Sequence, residues 1–116
     1  MSEKKDEDKA EDVNSLVAKF QNLQQQLQSI LMQKETFNLN KIEIERALEE
    51  LEKADEDTAY KITGAIMVKK PVEELKKELN NTKEVVDIRI KSLEKTEKQL
   101  TEQLKNLQEK LKKIVK

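Results

Sequence analysis

From Val13 onward, apolar residues recur at alternating steps of three and four: Val13, Leu16, Phe20, Leu23, Leu27, Ile30, Phe37, Ile44, Leu48 and Leu51. Lys34 and Lys41 stand where the series asks for apolar side chains. This spacing puts one stripe on one face of an α-helix, and its sustained repeat is that of a coiled coil. It predicts a first helix over about residues 13–53, roughly 60 Å long at the helical rise. The two lysines fit if their stems run along the seam and their ammonium groups reach water. A second stripe runs Leu75, Leu79, Thr82, Val86, Ile90, Leu93, Glu97, Leu100, Leu104, Leu107, Leu111 and Ile114. It predicts a helix over about residues 71–115. Pro71 suits its first position, and Glu73 and Glu74 suit the positive end of its dipole. Consecutive steps of four at Thr82, Val86 and Ile90 resemble a stutter, and Glu97 reads as a polar seam position that sets register.

The two stripes match in length, so the helices can fold back on each other as an antiparallel hairpin. With the reversal centred near residue 62, Leu51 falls near Leu75, and Val13 and Leu16 fall near Leu107 and Leu111. Both chain ends then meet at the tip away from the reversal. There the apolar stripe widens, because Val17 joins Val13, Leu16 and Phe20, and Val115 joins Leu107, Leu111 and Ile114. A two-helix seam cannot cover these flanking residues, so they form either a sticky patch or ordinary end packing.

Between the helices lies AYKITGAIMVKKP, which holds the chain's single glycine, proline and tyrosine. A β-hairpin over about residues 58–69 fits it, with Thr63 and Gly64 as the turn and Gly64 at positive φ. Tyr60 then faces Met67 and Ile62 faces Ala65, while Ile66 and Val68 project to the other side. The second strand is apolar on both faces. A lone two-stranded hairpin is marginal in water, and its open edges invite other strands. Tyr60, Ile62, Gly64, Ile66, Met67 and Val68 therefore read as an assembly element rather than a private turn.

Composition removes most other chemistries. Charged residues are 41% of the chain, hydrophobic residues 35% and aromatics 3%, too little for a globular core but suited to long helices. Without Cys or His there are no disulfides, thiolate metal sites or imidazole chemistry. One glycine excludes a glycine-rich phosphate loop, so no ATP site or other cofactor is expected. The carboxylates and lysines lie on solvated faces without a concave site, and the chain does not read as an enzyme. A net charge of −1 with interleaved Lys and Glu argues against nucleic acid as partner. No apolar run approaches a membrane span of roughly 18 residues, and residues 1–12 read as a charged, solvated tail. A cytoplasmic protein is expected.

Helix, AYKITGAIMVKK, PVEELKKEL and the later IRIKSLEKTEKQL together resemble the β-type subunit of archaeal prefoldin, over roughly residues 13–116. One hairpin between the helices is similar to that type; the α-type carries two. The resemblance implies an α-dominated fold whose hairpin joins an intersubunit β-barrel platform. It implies a hexamer of two α-type and four β-type subunits. The function it implies is ATP-independent capture of unfolded polypeptides by coiled-coil tips, and their delivery to a group II chaperonin. On this sequence those tips are the start of the first helix and the end of the second. The charged residues 1–12 depart from the plainer N-termini of the family. A structural or adaptor coiled coil with specific folded partners is the competing reading.

Overall fold

The computed structural model describes the backbone of residues 2–115 and the side chains of residues 13–114. Four elements follow one another: helix α1 (Ser2–Lys53), strand β1 (Thr58–Thr63), strand β2 (Ile66–Pro71) and helix α2 (Val72–Val115). Neither helix contains glycine or proline, so no residue breaks the ladder over 52 residues in α1 or 44 in α2. The segment 1–12, expected as a charged tail, has helical backbone from Ser2 and opens α1 ahead of the apolar stripe. Its Lys, Glu and Ala residues are good helix formers; its side chains lie outside the described residues. α1 stops at Lys53, before Asp55, Glu56 and Asp57, whose charges would oppose the negative end of the helix dipole.

β1 and β2 pair antiparallel, with Thr63 opposite Ile66, Ile62 opposite Met67, Lys61 opposite Val68 and Tyr60 opposite Lys69. The turn is therefore Gly64-Ala65, one residue later than the expected Thr63-Gly64. The reason is conformational. The favoured two-residue hairpin turns need positive φ at their first central position, which β-branched Thr63 resists and glycine takes freely. Gly64 has φ of 60°, and among the described residues no other has positive φ. Met67 accordingly faces Ile62 rather than Tyr60. The turn moved by one residue in both strands at once, so the faces are unchanged. Tyr60, Ile62 and Met67 share one face, and Lys61, Ile66 and Val68 share the other.

The strand ladder runs on one step past the sheet, because the Val72 N–H donates to the Asp57 carbonyl at 2.8 Å. Pro71 is thus the last strand residue and α2 begins at Val72. A proline at the ladder's end forfeits no sheet hydrogen bond, which is where a strand tolerates it.

The chain divides into two compact units, Met1–Gln33 with Leu93–Lys116, and Lys34–Ser92. In the second unit Ile44 of α1 packs with Val86 and Ile90 of α2, and Phe37, Leu48 and Leu79 close around them. Ion pairs flank this cluster: Lys41 to Asp87 at 2.8 Å and Lys83 to Glu45 at 3.4 Å. Descending α2 partners for ascending α1 residues define the antiparallel pairing. Thr82 is exposed and Lys83 half-buried, so the seam steps from Leu79 to Lys83 and then to Val86. Thr82 instead donates its hydroxyl to the Glu78 carbonyl at 2.9 Å.

In the first unit, Leu23 and Leu107 line one groove together with Lys19 and Lys110. Leu107 thus lies across from Leu23, not from Val13 and Leu16 as a reversal near residue 62 requires. The turn at Gly64-Ala65 accounts for the sign of this difference. A later reversal moves every α1 residue's partner toward the end of α2.

Candidate functional site

The hairpin carries its apolar side chains in the open. Tyr60 is 63% exposed, Ile62 72%, Ile66 65%, Met67 64% and Val68 39%. Alternation does not explain this, since both faces carry apolar residues that stay exposed. Two strands have too little area to enclose such residues, whatever their register.

What fixes the hairpin is polar. Lys61 on β1 and Lys70 on β2 lie on the same hairpin face and reach one carboxylate, Glu78, on the second turn of α2. Lys61 Nζ is 3.1 Å from Oε2 and Lys70 Nζ is 2.9 Å from Oε1. Hydrogen bonds from Lys70 and Lys61 hold the Glu78 carboxyl below its ordinary value. The same contact raises the Lys70 ammonium above its ordinary value. Glu78 was not singled out in the sequence, although a signal existed. Two lysines on one hairpin face, close to the start of a Glu-rich helix, make an ion pair with that helix favourable. Beside this clamp an apolar groove runs between Ala47 and Leu51 of α1, Ala54 just past its end, and Leu75 and Leu79 of α2, with Tyr60 at its β1 border. The alanines leave the space, and Leu51 and Leu75 share the groove, as the stripe pattern anticipates.

The residues expected to form the tip divide by exposure. Val17 is 40% exposed and Ile114 48%. Val13, Leu16, Phe20 and Leu111 are half-buried, and Leu107 is buried at 7%. Leu107 therefore packs in the seam, and the outward apolar surface comes from Val17 and Ile114. The Val115 side chain lies outside the described residues.

Among the described residues, no group of Asp or Glu side chains could hold a metal ion. Among the described residues, no helix is long and apolar enough to cross a membrane.

Two long helices joined by a single hairpin of outward apolar residues define a class, the helix–hairpin–helix coiled-coil protein. Within that class the chain belongs to the prefoldin-subunit family, whose model matches residues 14–116. It is 42% identical to the prefoldin subunit beta of Archaeoglobus fulgidus, over 89% of this chain and 90% of that one. It is 37% identical to the prefoldin subunit beta of Thermococcus onnurineus, over 85% and 86% of the two chains. The crystal structure of the prefoldin beta subunit from Thermococcus strain KS-1 superposes with a TM-score of 0.80 at 32% identity. That match covers 88% of this chain and 90% of the other. The beta2 subunit from the same source, at 23% identity and a TM-score of 0.71 over 78% of this chain and 97% of its own, shares the fold. The archaeal β-type resemblance and the helix–hairpin–helix fold class thus hold. Membership of this chaperone family supports a chaperone-subunit role within a hetero-oligomeric prefoldin complex.

Proposed function

We propose that this chain is the β-type subunit of a cytoplasmic, ATP-independent holdase. Four copies assemble with two α-type subunits through their hairpins, capture unfolded polypeptides at the chain-end tips and pass them to a group II chaperonin. The observation that carries the reading is the hairpin, whose five large apolar residues are all exposed in the isolated chain. Each aliphatic side chain that another subunit covers contributes at most roughly 1.5–3 kcal/mol. A closed barrel also pairs the open strand edges.

Capture follows a different logic. Val17 and Ile114 offer small apolar contacts that are weak singly and tolerant of sequence. Several tips on one platform turn weak contacts into firm hold, because the second contact is intramolecular. No nucleotide is needed when release is by competition or transfer.

Co-expression with an α-type subunit, followed by native mass measurement, tests assembly. Val17→Ser with Ile114→Ser tests capture: the complex keeps its mass but no longer suppresses aggregation of a denatured protein. Full protection by the double variant would place capture elsewhere. A chain that assembles yet protects nothing, and binds one folded partner instead, would be an adaptor.

A further inference from the structure

Within the unit Met1–Gln33 with Leu93–Lys116, the two helices leave an open groove of about 500 Å³. Half-buried Leu23 and buried Leu107 supply its apolar floor. Its remaining lining is polar and exposed. Asn22 and Gln26 come from α1, Gln103 and Asn106 from α2, and Lys19 and Lys110 line the groove on the side of the chain ends. Of these eight residues only Leu107 was expected at the apolar tip, and it is buried in the seam.

Four carboxamides around one groove form an unusual surface for a client site thought of as apolar. Each carboxamide carries both donors and an acceptor. Gln26 Nε2 donates to Asn22 Oδ1 at 3.3 Å, which orients the pair along α1. That contact leaves the Asn22 N–H groups as donors and the Gln26 oxygen as acceptor for an outside partner. A peptide main chain offers the complementary set, one N–H and one C=O per residue, whatever its side chains. Folded proteins have those groups internally paired, and unfolded ones do not. The lining also holds two cations and no anion. A carboxylate is therefore favoured on the side of the groove lined by Lys19 and Lys110.

We infer that this groove binds the main chain of an extended, unfolded polypeptide through Asn22, Gln26, Gln103 and Asn106, with an acidic side chain of that segment toward Lys19 and Lys110. The inference rests on the capture reading and deepens it. Recognition of unpaired main chain explains how one subunit tells unfolded from folded chains, which apolar contact alone does poorly.

The test uses the full chain in its assembled complex. The probe is a short labelled peptide of alternating serine and valine, with an acidic pair near an amidated C-terminus, and its counterpart N-methylated at alternate residues. N-methylation leaves the side chains and removes donors; binding read by fluorescence anisotropy weakens about tenfold, the equivalent of one or two hydrogen bonds. In the variant Asn22→Ala, Gln26→Ala, Gln103→Ala, Asn106→Ala, both peptides bind equally weakly. Alanine favours helix, so complex mass and helical content hold. With Lys19→Gln and Lys110→Gln the methylation effect persists, and the preference over a peptide with glutamines for the acidic pair is lost. Equal binding of parent and methylated peptide by wild type overturns the inference, as does discrimination that survives in the alanine variant. If aggregation suppression by wild type persists in either case, only the groove assignment falls. If wild type suppresses nothing, the capture reading falls with it.

Discussion

Ile44 and Ile66 are the same residue type in the same unit, and one is 9% exposed while the other is 65%. Ile44 sits on a helix with a partner helix beside it, and Val86 and Ile90 cover it. Ile66 sits on a two-stranded ribbon whose only partner strand cannot cover a face. The difference lies in the elements, not in the side chains. Two helices form a seam that closes within one chain; two strands cannot form a layer. Apolar residues placed on the first stabilise the subunit, and those placed on the second stay exposed in the isolated chain. On the proposed reading, the chain keeps its folding surface and its assembly surface on different secondary structures.

Two substitutions of opposite kind break that comparison most sharply. Ile66→Lys with Val68→Lys is expected to reduce the complex to monomers or dimers with helical circular dichroism nearly unchanged. Ile90→Ala is expected to do the reverse, lowering subunit stability by about 2–4 kcal/mol as a buried large-to-small change, while the hairpin surface stays intact. Native mass and urea melts at fixed protein concentration read the two. An unchanged hexamer mass in the lysine variant would mean that the exposed hairpin residues are not the interface. Mass loss in Ile90→Ala under conditions where it is folded would mean that the two surfaces are not separate.

A smaller effect sharpens the comparison at the turn. A Cβ added to Gly64 meets nothing within 4 Å, so packing does not penalise a side chain there. Its φ of 60° does. Gly64→Ala is expected to cost about 1 kcal/mol, and Gly64→Val more, because a β-branched residue resists the left-handed region. Thr63→Gly provides the control. If the turn were Thr63-Gly64, that substitution would relieve strain and raise stability; with Gly64-Ala65 as the turn it loosens a strand residue and lowers it. Thermal melts of the assembled complex separate the outcomes.

The helices were legible from the sequence because a stripe at three-and-four spacing over many turns has one geometric solution. The existence of the hairpin was legible for the same kind of reason, since a lone glycine between β-prone runs marks a turn. Register was not legible to the residue. Thr63-Gly64 and Gly64-Ala65 give the same faces, so alternation could not choose between them, and only the φ demand on the first turn position does. The helix pairing was no more legible, since stripes of matched length place the reversal only roughly, and Leu107 lies across from Leu23 rather than Leu16. Leu107 was read with the tip because its spacing belongs to the stripe, and a stripe position near a chain end does not announce whether it is covered. Glu78 escaped because a carboxylate on a helix rich in Glu and Lys looks like its neighbours. Its role comes from Lys61 and Lys70 arriving from another element, which periodicity along one helix does not show.

That clamp gives the smallest effect and the most specific one. Glu78 receives both strands of the hairpin, at 3.1 Å from Lys61 and 2.9 Å from Lys70, but all three groups are partly exposed. Water screens such pairs, so Glu78→Gln is expected to loosen the hairpin without unfolding the helices. The sign with pH follows from the titrations. Lys70 and Lys61 hold the Glu78 carboxyl below its ordinary value of 4.5, so its contribution is full above pH 4.5 and is lost as pH falls through the lower folded-state value. Lys70 is raised above its ordinary 10.5, so its contribution is full below pH 10.5 and is lost as pH rises through the raised value. Between those limits the difference between wild type and Glu78→Gln should be flat. The readout is hydrogen exchange, corrected for intrinsic rates, at the Val72 N–H that closes the ladder on Asp57. Wild type should protect this amide more than the variant at neutral pH, and the two should converge below pH 4.5. Raising salt toward 1 M, where the Debye length shrinks to about 3 Å, should narrow the neutral-pH difference. A difference that persists unchanged into acid would mean that Glu78 acts by shape rather than by charge, and an absent difference would mean that the strands are held without it.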